Sequence, residues 1–324
     1  MSIVTSKKTS QKIIDNVIEN NAAMAIFCTA SHWNTEAILL AAKKFCDKYQ
    51  LESIPLSVAI TFNYSYMPQA QRVTHTQNAK LGFLSIMEHL YLLCNNLDSP
   101  YHNITVLPHL DHADPEYDEW ALTEGNKYLS SVMFDAQRYQ PEKNIAMTRD
   151  YIGQYSDNLM IEGIMEELVV ADMHGKEASS VDGYLDKAVA YVDATGIDFL
   201  VADLGTEQQT SSSGGVQYMK QRARGLTEAL GRKMLVLHGT SSLNNNQMES
   251  LADDGVVRVN MWTKIAREAG RYAAGNLFKR AEAVFGNDFE AVESNRYLMD
   301  SIDKASDLML EILETLNYQN FARK

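Results

Sequence analysis

Short runs of β-branched or otherwise apolar residues alternate along this chain with longer stretches whose apolar positions recur at helical intervals. The short runs predict strands over Ala22–Cys28, Ile54–Ile60, Ile104–Leu107, Ser131–Phe134, Leu159–Ile161, Phe199–Ala202, Met234–Leu237 and Val256–Val259. Between them the spacing predicts helices over Asn34–Gln50, Thr76–Leu97, Pro115–Tyr128, Pro141–Ser156, Val181–Thr195, Val216–Leu230, Asn244–Asp253 and Thr263–Phe285. The Asp114-Pro115-Glu116 start combines a capping aspartate with a proline at the first helical position. Eight such units without a long interruption fit an α/β fold closed as a (β/α)8 barrel better than a doubly wound sheet. The pattern predicts a single barrel domain over residues 1–324, with the barrel at about 20–285. An added C-terminal helix follows at about 287–320, with Leu308, Leu310, Ile312 and Leu313 as its apolar stripe.

Composition narrows the partners. Among 324 residues, 42 acidic side chains against 29 basic ones give a net charge of −13, which disfavours attraction to nucleic acid or anionic membrane. Cys28, Cys46 and Cys94 are odd in number and unpaired in spacing, so they read as buried small apolar residues of a reducing compartment. No apolar run approaches the roughly 18 residues of a membrane span. The N-terminal MSIVTSKKTSQKIIDN has no apolar segment behind its lysines, unlike a secretory signal. The expectation is a cytoplasmic protein without nucleic-acid or membrane partners.

In such a barrel the chemistry gathers where the strands end. The predicted strand ends carry Cys28, Thr61, His109 to His112, Asp135, Glu162, Asp203 to Gln208, His238 and Asn260. Buried polar groups cost roughly 1–3 kcal/mol each without partners, so this convergence points to a site. Within LPHLDHADPE, two histidines flank one aspartate, a set able to supply a metal ligand and a proton-transfer group. Closure of the barrel brings His238 opposite His112, and imidazole nitrogens suit zinc. His32 is a further candidate for the mouth, whereas His75, His89 and His102 fall on helices or helix-end loops. His174-Gly175-Lys176-Glu177 reads as a polar loop able to act as a lid. Glycine-rich nucleotide loops and the HExxH zinc signature are missing.

Taken in order, FCTASHWNTEAILLAA, IPLSVAIT, HLDHAD, SSVMFDAQ with the following EKN, MIEG, TGIDFLVADLGT, LHGTSS and GVVRVNMWT resemble the class II, metal-dependent fructose-bisphosphate and tagatose-bisphosphate aldolase family. That resemblance covers roughly residues 20–275. It implies a divalent metal, zinc first, held by His112 and His238. It implies that Asp111 handles the proton of the substrate hydroxyl, Glu177 the proton at the nucleophilic carbon, and Asn260 the enediolate. Substrate-binding roles fall on Thr61, Asp135, Gly239, Ser241, Trp262 and Thr263. The partner it implies is a small hydroxylated carbonyl compound of sugar or sugar-phosphate type, and the assembly a homo-oligomer, dimer or tetramer.

The departures mark a divergent member. Where the family carries its third histidine ligand this chain has Gln208, a weaker zinc ligand unless Glu207 turns inward. The second carboxylate of the strand-five pattern is replaced by Ile164, the glycine-rich LHGGSG by LHGTSS, and the NxDT acid by Trp262. The reading is therefore a metal-dependent lyase that makes or breaks a C–C bond in a hydroxylated carbonyl substrate. Two alternatives stand beside it: a catalytically inactive aldolase-like binding or regulatory protein, and an isomerase or epimerase that shares the enediolate step.

Overall fold

In the computed structural model of the chain, described for residues 2–166, 183–206, 218–240, 243–286, 288 and 294–323, eight parallel strands close into a barrel. They are β1 (Met24–Cys28), β2 (Pro55–Thr61), β3 (Thr105–Ala113), β4 (Ser131–Phe134), β5 (Met160–Ile164), β6 (Phe199–Val201), β7 (Leu235–Leu237) and β8 (Val256–Met261). Each pairs with its neighbour in sequence, and β8 closes on β1. Alternate residues of each strand feed two different cores. Met24, Ile26, Leu107, Met133, Met160, Phe199 and Val236 fill the inside, while Phe27, Val58, Leu110, Val132, Leu200 and Leu237 pack outward against the helices. Burying each large apolar side chain stabilises the fold by roughly 1.5–3 kcal/mol.

The barrel floor is closed by a helix at Lys7–Glu19 that precedes the first strand–helix unit. Ile14 and Val17 on it are fully buried among the interior residues, and Lys7 Nζ lies 2.9 Å from Asp198 at the foot of β6. At the other terminus the helix Ser294–Thr315 lies across the helices His32–Tyr49 and Thr263–Lys279. Its buried apolar positions are Ile302, Ala305, Met309 and Leu313, a stripe rotated from the one the sequence suggested. Lys44 pairs with Asp307 at 2.7 Å and Lys48 with Glu314 along this seam. Beyond it Tyr318, fully buried, accepts the Ala25 N–H at 3.0 Å and ties the C-terminal turn to β1.

Several segments differ from the expected pattern. β3 runs on to Ala113 instead of ending at Leu107, so HLDHA is strand and not loop. The stretch expected as one helix from Pro115 contains only Glu119–Thr123 and a 3-10 turn at Gly125–Tyr128. Asp114 does accept the N–H groups of Glu116 and Tyr117, at 2.8 and 3.1 Å. Asp118 then ties the chain elsewhere, accepting from the backbone N–H groups of Asn63 and Asp114 at 3.0 and 2.9 Å. The helix expected over Asn244–Asp253 is one turn, Asn245–Met248, closed by a reciprocal Asn244–Gln247 capping box. No helix of the described residues is long and apolar enough to cross a membrane.

Candidate active site

The mouth is built around a fault in β3. Along this strand Leu107, His109 and Asp111 face inward and Leu110 outward, so regular alternation would send His112 out to the helices. Instead the β3–β4 register shifts between Leu110 and Ala113, and His112 takes φ +48°. An extra residue in a left-handed conformation turns its side chain back to the face of its predecessor. Asp111 and His112 therefore both line the mouth, and Ala113 returns to the outer core.

His238, at the end of β7, meets them there; the rings of His112 and His238 stand edge to face with centroids 5.0 Å apart. Potential ligand atoms of Asp111, His112 and His238 all lie within 4.8 Å of one another. Behind His112, Asp135 Oδ2 accepts the Nδ1–H at 2.8 Å and is itself held by Gln137 Nε2 at 3.0 Å. That bond sets the tautomer and turns Nε2 toward the cluster. Asp135, read from sequence as a substrate contact, is thus engaged with the histidine. Tyr64, from the loop after β2, stacks on the other face of His112 at 4.2 Å with the planes 5° apart.

Beside Asp111 stands Asn260, whose Oδ1 accepts from the Cys28 thiol at 3.1 Å. Asp111 Oδ1, His238 Nε2 and Asn260 Nδ2 are buried without a hydrogen-bond partner among the described residues. Burial and the neighbouring His112 and Arg258 push His238 down to about 4 against the pull of Asp111 and Asp135, so its ring is neutral at pH 7. Burial opposes the charge on Asp111, but His112, His238 and His109 outweigh it and hold the carboxyl below its usual range. Burial also works against protonated His112, yet Asp111, Asp135 and Glu162 raise its pKa above the usual value. The cavity they share holds about 90 Å³ and is walled in part by Thr61, Gly239, Trp262 and Thr263. Thr61 is fixed by its own loop, donating to the Met67 carbonyl and accepting the Gln69 N–H at 2.9 Å. Trp262 precedes, and Thr263 opens, the helix Thr263–Lys279.

Several sequence candidates lie elsewhere. His32 sits on the outer helices, with Ser85 Oγ at 2.9 Å and its ring against His89, and does not reach the mouth. His109 and Glu162 sit one layer below it with Arg258, a charged residue inside the apolar run VVRVNM. Arg258 reaches Glu162 directly and Ser131 and Ser57 at 3.1 and 3.4 Å, while His109 Nδ1 meets Ser131 at 2.9 Å. Asp203 is bound by buried Arg222, which donates to its carbonyl at 3.0 Å. Glu177, Glu207, Gln208 and Ser241 lie outside the described residues. Sequence reasoning missed the roles of Tyr64, Cys28 and Gln69 at the mouth; only the strand-end position of Cys28 signalled any of them.

Comparison with known proteins identifies the lineage. The family model described as fructose-bisphosphate aldolase class-II matches residues 8–320. The chain belongs to the class II fructose-bisphosphate aldolase family. A fructose-bisphosphate aldolase of Streptococcus pyogenes is 24% identical over 294 residues, covering 88% of this chain and 86% of that protein. One from Streptococcus pneumoniae is 28% identical over 211 residues, covering 63% of this chain and just under two thirds, 65%, of its own length. Among solved structures, the fructose-bisphosphate aldolase of Campylobacter jejuni superposes with a TM-score of 0.78 at 15% identity, covering 98% of this chain and 96% of that one. The YdjI aldolase of Escherichia coli K12 does so with 0.65 at 14% identity, covering 97% of each chain. At these identities the two structures speak for the fold alone.

Proposed function

We propose that this chain is a metal-dependent lyase that cleaves or forms a C–C bond in a hydroxylated carbonyl compound. The observation that carries the reading is the trio of unpartnered buried atoms, Asp111 Oδ1, His238 Nε2 and Asn260 Nδ2, at one mouth beside His112. Such atoms cost roughly 1–3 kcal/mol each unpaired, and these three, unlike the open atoms of the layer below, line a cavity in which a bound group reaches them.

The donor set fits a divalent ion: two imidazoles, one neutral and one oriented from behind by a carboxylate, with an acid adjacent. His112 and His238 would hold it, with Glu207 or Gln208 assigned to complete the set and zinc the first candidate. A metal there supplies a Lewis acid that draws electron density from the substrate carbonyl. Asp111 Oδ1 takes the proton from the hydroxyl on the carbon that departs. As that oxygen becomes an aldehyde, the C–C electron pair passes to the carbonyl fragment. Asn260 Nδ2 donates to the oxygen on which negative charge then develops. Glu177, by the family pattern, returns a proton to the carbon. Thr61, Gly239, Ser241, Trp262 and Thr263 hold the substrate.

The test is metal analysis of the purified chain, followed by chelation, re-addition and assay of aldol cleavage. The expected result is about one divalent ion per chain, activity lost on chelation and restored by the metal, and no activity in His112→Ala. Full turnover in chelated protein or in His112→Ala would overturn the reading.

A further inference from the structure

The cavity at the mouth holds about 90 Å³. Directly behind Trp262 lies a second cavity of about 220 Å³, between the helices His32–Tyr49, Thr263–Lys279 and Ser294–Thr315. Cys28, Met261, Trp262 and Ile265 line both spaces and form the wall between them. The far side of the second cavity is Ile38, Ala269, Ala305 and Met309. Its polar lining residues are Asn34 and Ser301, and no charged side chain lines it among the described residues.

The dividing indole packs in part against the residues of the barrel interior. Trp262 is half-buried, and its ring nitrogen has no hydrogen bond among the described residues. It also stands where the resembling family pattern has an acid, which exchanges a charge at the mouth for an apolar plate. Were the indole to rotate about its side-chain torsions, the two spaces would join into a volume near the lower bound of small-molecule sites, about 300 Å³. An apolar cavity of about 150 Å³ already accommodates a benzene ring.

We propose that the cavity behind Trp262 is a subsite for a compact uncharged hydrocarbon group, about the size of a phenyl ring, carried by the substrate. Trp262 is then the residue that admits it. This inference rests on the aldol reading for the location of the reacting carbons, and on the cavity's own lining for the chemistry of the group. An ionic group such as phosphate finds no counter-charge on that lining, and leaving water for it would go uncompensated.

The test titrates benzyl alcohol and glycerol separately into the full chain, with binding followed by ligand-observed NMR. Wild type is expected to bind benzyl alcohol at least ten-fold more tightly than glycerol. Ala305→Leu, whose added carbons occupy the cavity, is expected to weaken benzyl alcohol at least ten-fold and to leave glycerol unchanged. Ala266→Leu, at a half-buried lining position, gives the same comparison if Ala305→Leu does not fold. Equal affinities for the two alcohols, or benzyl alcohol binding unchanged in a folded filling variant, overturns the subsite. Because binding is read without turnover, a benzyl alcohol site in a chain with no aldol activity rejects the aldol reading alone. Aldol turnover without benzyl alcohol preference rejects the subsite alone.

Discussion

In the lower polar layer of the barrel, Arg258 reaches Glu162, Ser131 and Ser57, and His109 turns to the same serine, so polar groups face one another. One strand step higher, Asp111, His238 and Asn260 each leave an atom without a partner and face an open cavity. Burial is equally severe in both layers: Arg258 and Glu162 are 0% exposed and Asp111 is 4% exposed. What differs is what the open atoms face. His109 Nε2, Glu162 Oε2 and Arg258 Nε also lack a hydrogen bond among the described residues, but they lie among one another, with His109 Nε2 3.6 Å from Glu162, whereas the three upper atoms line a cavity. A layer packed around an ion pair holds the strands in register, whereas one that faces a cavity is arranged to receive something else.

The largest expected effect falls on the upper layer. Asp111→Asn should lower kcat for aldol cleavage about 100- to 10,000-fold, the usual worth of a proton-transfer group. Its urea midpoint at pH 7 should fall modestly, since a carboxyl held below its usual range by the neighbouring histidines stabilises the fold in its charged form. Activity within ten-fold of wild type would show that Asp111 is not the base. In the lower layer, Arg258→Met should cost about 3–5 kcal/mol in urea unfolding, because Glu162 is left buried without its cation. The double variant Arg258→Met/Glu162→Leu should recover much of that loss. A single variant as stable as wild type would dissolve the contrast between the layers.

Asp135→Asn probes the link behind the upper layer. Without a full carboxylate on Nδ1, metal affinity measured by chelator competition should fall about 10- to 100-fold, with little change in fold stability. The smallest effect concerns Asp118, a buried carboxyl outside both layers. Burial raises its pKa to about 6, against the backbone N–H groups that lower it. A folded-state pKa above the unfolded value, about 3.9, means that the folded state binds the extra proton between them. The stabilisation is complete below about pH 4 and is lost as pH rises through about 6. Urea midpoints from pH 4 to 7 should fall less steeply in Asp118→Asn than in wild type; parallel profiles would remove Asp118 as the cause.

Much of the scaffold was legible because strands buried on both faces announce themselves as short apolar runs. Ser131–Phe134 was placed to the residue, and the order of the runs led to a closed barrel. Where the reading failed, a tertiary tie had replaced the local preference. Asp114 makes its cap bonds, but Asp118 spends its carboxylate on the β2 loop and the helix stays short. His32 follows β1 closely in sequence, yet the helix His32–Tyr49 carries it outward to Ser85. The floor helix escaped notice because Ile14 and Val17 complete the interior from outside the strand–helix repeat.

The sequence by itself determined the barrel, the family and the set of residues that reach the strand ends, because periodicity and strand order are properties of the chain alone. It could not rank those residues by layer. His109, Asp111 and His112 stand within four positions. Their fates diverge because the strand alternates and then breaks at a left-handed residue, leaving one histidine below and turning the other to the mouth. Only the tertiary structure decided which polar atoms were completed by neighbours and which were left open, and only it put an apolar cavity behind Trp262. Those outcomes depend on contacts between strands and helices far apart in sequence, such as Arg258 with Glu162 and the helix Thr263–Lys279 with the helix Ser294–Thr315.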